Sequence, residues 1–571
     1  MKLTELKEQG KAPEWMNEES LHTLQKGYLL PNETPYDMYR RIAKATDKGL
    51  GYPGLSGQFF DLMWNNWLCP STPVASNMGT ERGLPISCYG SFIPDSVDGI
   101  FNFYHEAAML TKNGGGIGSY WSSIRARGQD IKGNGKSEGV VPWLAILDRT
   151  ALAVGQGGVR RAGIQATLDI EHGDFEEFLQ IRKPLGDVNR QCLNLHQAIN
   201  VSDDFMRSLN EGNTRNRNKW TELLKTRVET GEPYIMFSDT ANNNSPKQFQ
   251  GKKIYGTQLC SEIFIPNDKD HTYVCCLSSM NLARYDEWSD WKCPKTGLTA
   301  IELSIYFLDG VMQEFIDKAR LLPGFEKAVR FSEKSRALGL GVLGYHSLLQ
   351  SKGYIFDSFD SMMLNAKIFK QLHVESESAT TKLATLLGEP EWVKGFNRRN
   401  LTCLAIAPTM SNSIISGGMS AGIEPISSNC YSLKSAKGTF IRKNPLLVQK
   451  LEEVGQNTVD VWDIIIKDGG SIQNLPDKVL SASDKEIFKT ARELNQFAIV
   501  KQAGQRQKWI DQGQSVNLFF TSDSSPRYIH EVHMMAWEEK LKSLYYLRSE
   551  SVLRSHKTIE YSKSDCASCE G

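Results

Sequence analysis

The chain has 571 residues, with 66 basic and 66 acidic side chains and a formal net charge of zero. That balance argues against nucleic acid as the main partner, and a composition 40% apolar and 23% charged excludes a disordered chain. No apolar run approaches the roughly 20 residues that span a bilayer, and the opening residues lack the apolar stretch of a secretory signal. These features predict a cytoplasmic, soluble, globular protein with no membrane partner.

Residues 1–30 read as a polar lead-in. Thr34-Pro35-Tyr36-Asp37 then opens a helix, with Thr34 as N-cap and Pro35 in the first turn. An aromatic-rich helix is expected over 58–68, and Asp95 or Ser96 is placed to cap a third through FNFYHEAAML. Further on, β-branched runs alternate with helical stretches. QATLDI, HQAINVS, TYVCCLSSMNL, LTCLAIAP and SVNLFF read as strands, and 301–320 and 525–543 as amphipathic helices. The alternation predicts a mostly parallel α/β architecture. With no internal repeat and no low-complexity linker, residues 51–550 read as one large domain behind a lead-in over 1–50. Residues 551–571 read as a mobile tail.

Eleven cysteines in irregular positions are too sparse for a disulfide scaffold. Cys260 stands two residues before Glu262, a spacing that suits a thiol doing redox or radical work beside a proton-moving carboxylate. The plainer reading is a strand with a buried Cys and a surface Glu. Cys275 and Cys276 are adjacent, so on a strand they point to opposite faces and at most one shares a site with Cys260. Cys88 lies in LPISCYGSF. NGGGIG and GQGGVRRAG fit neither dinucleotide nor P-loop patterns and mark tight backbone approaches. The run Thr409, Met410, Ser411, Asn412 and Ser413 follows the LTCLAI strand and is rich in donors for a phosphate, or is simply a capped turn. His530 and His533 fall at i and i+3 on a helix, where zinc would need further ligands. Paired Tyr545 and Tyr546 read alone as packing with a polar tip, and Cys566 and Cys569 form a C-x-x-C near the end of the sequence.

Taken in order, CPSTPVASN, LPISCYGSF, KNGGGIGSYWSSIRARG, GQGGVRRAG, QLCSEI, VCCLSSMNL, APTMSNS, SAGIEPI, SLYYLRS and the terminal C-x-x-C resemble the large, catalytic subunit of class I ribonucleotide reductase, from about Ser71 onward. The resemblance implies a ten-stranded α/β barrel of two five-stranded parallel halves, threaded by a loop that presents Cys260 as the radical cysteine. It implies Glu262 as proton acceptor, Gln258 as ribose-positioning amide, and Cys88 with Cys275 as the electron-donating pair. Tyr545 and Tyr546 would carry the radical equivalent, and Cys566 and Cys569 would re-reduce the buried disulfide. Substrate contacts fall on Thr72, Ser87, Gly116 and 409–413. Effector contacts for dNTP or ATP fall on Asp95, Ser96, Val97 and Arg125, with Arg190 and Gln191 as relay.

The same resemblance implies a separate small subunit holding a dimetal cofactor, with no metal or cofactor bound by this chain. It also implies a thioredoxin- or glutaredoxin-like reductant and a homodimer. Two departures matter. Gln258 stands where the family usually has Asn, and only about 50 residues precede the matched region, too few for the ATP-cone domain of many relatives. The alternatives are an adenosylcobalamin-dependent reductase, a catalytically silent nucleotide-binding paralogue, or a zinc-binding scaffold on the C-x-x-C.

Overall fold

The computed structural model describes residues 2–52, 54–154, 163–184, 186–435 and 438–549. Four helices, Leu3–Glu8, Glu18–Gly27, Pro35–Leu50 and Ser56–Trp64, precede the first strand, so the helical region runs past residue 50. The Pro35–Leu50 helix starts at a capping box: Thr34 Oγ1 accepts from the Asp37 N–H while the Asp37 carboxylate accepts from the Thr34 N–H. The aromatic helix begins two residues earlier than expected and ends at Trp64. Ser96, not Asp95, caps the helix Val97–Lys112.

Five strands, Cys88–Phe92, Gly116–Tyr120, Gly163–Asp169, Leu195–Val201 and Tyr234–Phe237, pair in parallel in chain order. A second parallel series is built from Cys276–Asn281, Leu338–Leu343, the bridge residues Leu404 and Ile406, the segment from Gln514 through Leu518–Phe520, and Leu547–Ser549. The two series meet antiparallel at both seams. Tyr273–Val274 runs against Cys88–Phe92, and Ser543–Leu544 runs against Tyr234–Phe237. The result is the α/β barrel of two five-stranded halves that the family resemblance implied, and the parallel pairing within each half agrees with the mostly parallel architecture read from the residues.

Two expected strands differ in instructive ways. TYVCCLSSMNL breaks at Cys275, because the residues before it pair with the first half and those after it with the second. LTCLAIAP contributes isolated bridges rather than a continuous strand. The N–H groups of Cys403 and Leu404 donate to the Asp511 carboxylate at 2.6 and 2.8 Å, which takes them out of the ladder.

The buried helix Ala300–Ala319 starts at a second capping box, Thr299 with Glu302. Every residue from Ala300 to Met312 is buried, so this part of the helix is largely apolar on all faces, and only its last turns, with Asp317 exposed, reach the surface. The helix Pro526–Glu538 carries His530 and His533, whose rings meet the Trp220 indole. His530 Nδ1 accepts from Trp220 Nε1 at 2.9 Å, a packing role rather than a zinc site. Among the described residues no helix is long and apolar enough to cross a membrane.

Candidate active site

The segment between the halves, which carries Gln258, Cys260 and Glu262, is a loop and not a strand. Ser261 at its tip takes the left-handed conformation, φ 63°, and the turn brings residues 258 and 262 face to face. Two glycines make room for it. A Cβ on Gly118 would lie 2.3 Å from the Thr257 carbonyl oxygen, and one on Gly513 would lie 2.3 Å from the Phe264 ring. These belong to opposite halves, so the loop threads between them. The second half then holds it: Ser515 Oγ donates to the Cys260 carbonyl, Ser543 Oγ donates to the Ser261 carbonyl at 2.6 Å, and the Gly513 N–H donates to the Glu262 carbonyl at 2.8 Å.

Cys260 and Glu262 are both buried, which replaces the reading of a surface Glu. Burial pushes the Glu262 carboxyl up to about 8; hydrogen bonds from its own backbone, from Ser515 Oγ and from Gln258 act in the opposite direction. Gln258 Nε2 donates to Glu262 Oε1 at 2.7 Å, and its Oε1 accepts from the N–H groups of Cys260 and Ser261. One amide therefore ties the carboxylate to the turn that carries the thiol.

Cys88 and Cys275 face each other across the antiparallel seam. Tyr89 pairs with Val274, and the Cys275 N–H donates to the Cys88 carbonyl at 3.2 Å. Residues directly opposite on such a seam have Cα atoms roughly 4.5–5.5 Å apart, inside the disulfide range of about 4.4–6.8 Å. Neither is in a disulfide here. Gln512 Nε2 donates to Cys275 Sγ at 3.4 Å, whereas Cys276 Sγ turns away to the Leu308 carbonyl on the enclosed helix. The opposite-face expectation for these two thiols is met.

Tyr545 and Tyr546 pack against Cys260 in one buried cluster with Leu259, Ala198 and Tyr234. The two ring centroids are 4.4 Å apart, and the Arg548 guanidinium lies 4.3 Å from the Tyr546 ring centre. Beyond them opens a cavity of about 520 Å³, lined among others by Met410, Ser413, Glu424, Tyr546 and Arg548. Of the 409–413 run, Met410 and Ser413 line this cavity, and Asn412 Nδ2 donates to the Pro70 carbonyl at 3.1 Å, which ties the run to the segment just before Thr72. Thr409 is left-handed and its Oγ1 accepts from the Gly422 N–H, while Ser413 Oγ donates to the Met410 carbonyl; Ser411 precedes Asn412 on the same short helix. Ser87 and Gly116 meet beside Cys88, with the Gly116 N–H donating to the Ser87 carbonyl at 2.6 Å.

The Asp95, Ser96, Val97 and Arg125 group lies elsewhere, at the start of the Val97–Lys112 helix. Arg125 Nε donates to Asp95 Oδ2 at 2.9 Å. Arg190 pairs with Glu177, which also pairs with Arg127, so ion pairs link the segment after Arg125 to the turn that carries Arg190 and Gln191. Cys566 and Cys569, and residues 155–162 of GQGGVRRAG, lie outside the described residues.

Tyr234, Tyr273, Gln512, Ser515 and Glu424 were not expected from the sequence. Glu424 stood in the quoted SAGIEPI without an assignment; burial pushes its carboxyl up to about 7, opposed by Arg548 and a hydrogen bond from Asn517. Among the described residues one group has metal-ligating spacing, Glu377, Cys403 and Asp511. Arg398 already pairs with Glu377 and donates to Cys403 Sγ, which gives the group a structural role in tying strand ends together.

Comparison with known proteins matches residues 15–83 to the family described as ribonucleotide reductase, all-alpha domain. Residues 86–217, 208–398 and 391–547 match the ribonucleotide reductase barrel domain. The chain is 37% identical over 544 residues to a putative ribonucleoside-diphosphate reductase large subunit of Frog virus 3, covering 91% of this chain and 93% of that one. It is 33% identical over 637 residues to the ribonucleoside-diphosphate reductase large subunit of Invertebrate iridescent virus 3, covering 96% and 98%. Among solved structures, the Actinobacillus ureae class Id ribonucleotide reductase alpha subunit superposes with a TM-score of 0.86 at 39% identity, covering 95% of this chain and 99% of that one.

Proposed function

The chain belongs to the ribonucleotide reductase large-subunit family, and from that premise we propose that it reduces ribonucleoside diphosphates by a thiyl radical on Cys260. The observation that carries this reading is convergence. A buried thiol, a carboxylate with raised proton affinity and an opposed thiol pair meet inside the barrel, and a tyrosine pair packs against the first thiol.

The ribose 2′-hydroxyl is a poor leaving group. Removal of the 3′-hydrogen by the Cys260 radical makes the neighbouring C–O bond labile. Glu262 takes the 3′-OH proton, and Cys88 protonates the departing 2′-oxygen as water. Cys88 and Cys275 supply two electrons and end as a disulfide, and Cys260 regains its radical when it returns the hydrogen atom. Thiols suit these steps because one sulfur can give a proton or a hydrogen atom and then form a disulfide by exchange. Gln258 holds the Glu262 carboxylate and the Cys260 turn in register. Thr72, Ser87, Gly116 and the 409–413 run bind the ribose and diphosphate.

Tyr546 and Tyr545 pass the oxidising equivalent inward from a separate small subunit, which holds the dimetal cofactor; none is assigned to this chain. Cys566 and Cys569 return electrons to the buried disulfide from a thioredoxin- or glutaredoxin-like protein. A dNTP or ATP effector binds at Asp95, Ser96, Val97 and Arg125, and Arg190 with Gln191 relays its identity. A homodimer is favoured by the apolar face beside that site, where Val97, Phe101, Ile146 and Leu152 are 63, 53, 43 and 62% exposed on two packed helices.

The test is conversion of a ribonucleoside diphosphate with a dithiol, an effector and the small subunit encoded beside this chain. Adenosylcobalamin replaces that subunit in a parallel reaction, and Cys260→Ser is the blank. Turnover only with the small subunit, lost in the blank, is expected. Turnover with cobalamin alone would assign the other reductase class, and nucleotide binding without turnover in either reaction would favour the silent paralogue.

A further inference from the structure

Across the seam from Cys88 and Gly90 stand Cys275 and Tyr273. Residues two apart on a strand share a face, so these four form a block on one face, with the thiols in one row and the Tyr273–Gly90 pair in the next. The Tyr273 ring lies flat over Gly90: a Cβ there would sit 1.8 Å from Cζ and 2.3 Å from the hydroxyl oxygen. That oxygen is thus held directly above the residue two positions from Cys88. Tyr273 is 1% exposed, and its hydroxyl has no hydrogen-bond partner. Buried phenols nearly always find one. Burial above all, and after it the electrostatic effect of Glu262, Cys88 and Cys275, raises the proton affinity of this hydroxyl and keeps it protonated. It is therefore a neutral donor with no acceptor in the protein, set among three of the reacting groups.

We propose that Tyr273 is a further catalytic residue, whose hydroxyl donates a hydrogen bond to the substrate's ribose 2′-oxygen beside Cys88. The assignment rests on the reductase reading above, because that reading places the ribose among Cys260, Glu262, Cys88 and Cys275. The phenol keeps its proton throughout. Cys88 supplies the proton that leaves with the 2′-oxygen as water, and Tyr273 stabilises charge on that oxygen as the C–O bond lengthens. Gly90 is the complementary half of the device, since any side chain there would expel the ring.

The experiment compares full-length wild type and Tyr273→Phe in equilibrium binding of a ribonucleoside diphosphate and of its 2′-deoxy counterpart, with effector present. The variant keeps the ring, so an unchanged melting temperature serves as the folding control. The ribonucleotide should bind roughly fivefold to tenfold more weakly to the variant, the value of one hydrogen bond. The deoxynucleotide, which lacks the 2′-oxygen, should bind equally to both. Equal weakening of both ligands would overturn the assignment by placing the contact elsewhere on the nucleotide. Unchanged affinity for both would overturn it outright. Wild-type turnover with the small subunit reports separately on the reductase reading, so failure of one is distinguishable from failure of the other.

Discussion

Two carboxylates in this molecule are equally buried and behave in opposite ways. Asp309, on the enclosed helix, accepts from Arg336 Nε and Nη2 at 2.8 and 3.0 Å, from Arg399 Nε at 2.8 Å and from Asn400 Nδ2 at 2.8 Å. Despite its burial penalty, the two guanidinium groups pull its carboxyl down to about 2. Among the described residues Glu262 has no cation beside it, only the neutral Gln258 amide, the Ser515 hydroxyl and its own backbone, and burial takes it up to about 8. Asp309 has its oxygens filled by charged and amide donors, whereas the Ser261 and Thr257 hydroxyls of the Glu262 loop, and the Tyr273 hydroxyl that feels the Glu262 charge, have no hydrogen-bond partner.

The widest effect that would break this comparison is on activity. Glu262→Gln keeps the shape and removes the proton acceptor, so turnover should fall by roughly 10²–10⁴-fold, the usual value of a positioned base. Folding stability should hold or improve above neutral pH. The Glu262 carboxyl is raised in the folded state, so its burial costs stability progressively between its unfolded value, about 4.3, and its folded value of about 8. A variant equally inactive but strongly destabilised would mean that Glu262 is structural like Asp309.

Next comes stability at the other carboxylate. Asp309→Asn leaves the buried Arg336 and the partly buried Arg399 without their counter-charge, which costs on the order of 3–5 kcal/mol and should be read by chemical denaturation at pH 7. Because the Asp309 carboxyl is lowered on folding, wild type holds this contribution fully above about pH 4 and loses it as the pH falls toward 2. The pH–rate inflection assigned to Glu262 should stay in place. Movement of that inflection would show that the two carboxylates are coupled.

A smaller packing effect follows at the seam. Gly90→Ala drives a methyl into the Tyr273 ring and should cost about 1–3 kcal/mol, the usual range for overpacking. Combining it with Tyr273→Ala removes the obstacle, so the double variant should be more stable than the sum of the single changes predicts. Strict additivity in thermal melts would contradict the contact.

The candidate site was legible where chemistry is local in sequence. Cys260 with Glu262 is a short segment whose residue types suggest a role; Tyr545 with Tyr546 reads alone as packing, and its role, like the choice of Cys275 over Cys276, came only from the ordered segments that resemble the family. The groups that complete the site were not legible. Gln512 and Ser515 lie more than 230 residues from Cys275 and Glu262, and only barrel closure brings them together. Tyr273 looks like an ordinary strand aromatic until its register with Gly90 is known. LTCLAIAP has the composition of a strand, but propensity carries no information about the Asp511 carboxylate that takes its N–H groups.

Gln258 is where the comparison can be tuned rather than broken. Its amide is among the groups that lower the proton affinity of Glu262, while its carbonyl fixes the backbone of Cys260 and Ser261. Removing it in Gln258→Ala makes Glu262 less like Asp309, with one fewer hydrogen bond and the same burial. The inflection in kcat/KM should therefore move above its wild-type position near 8. At fixed pH below that point the rate should fall by up to about tenfold for each unit moved. Gln258→Asn retains an amide one methylene shorter and should recover part of the shift. A rate and inflection indistinguishable from wild type in Gln258→Ala would remove this amide from the mechanism. A fall in rate with the inflection unmoved would assign it to holding the Cys260 turn alone.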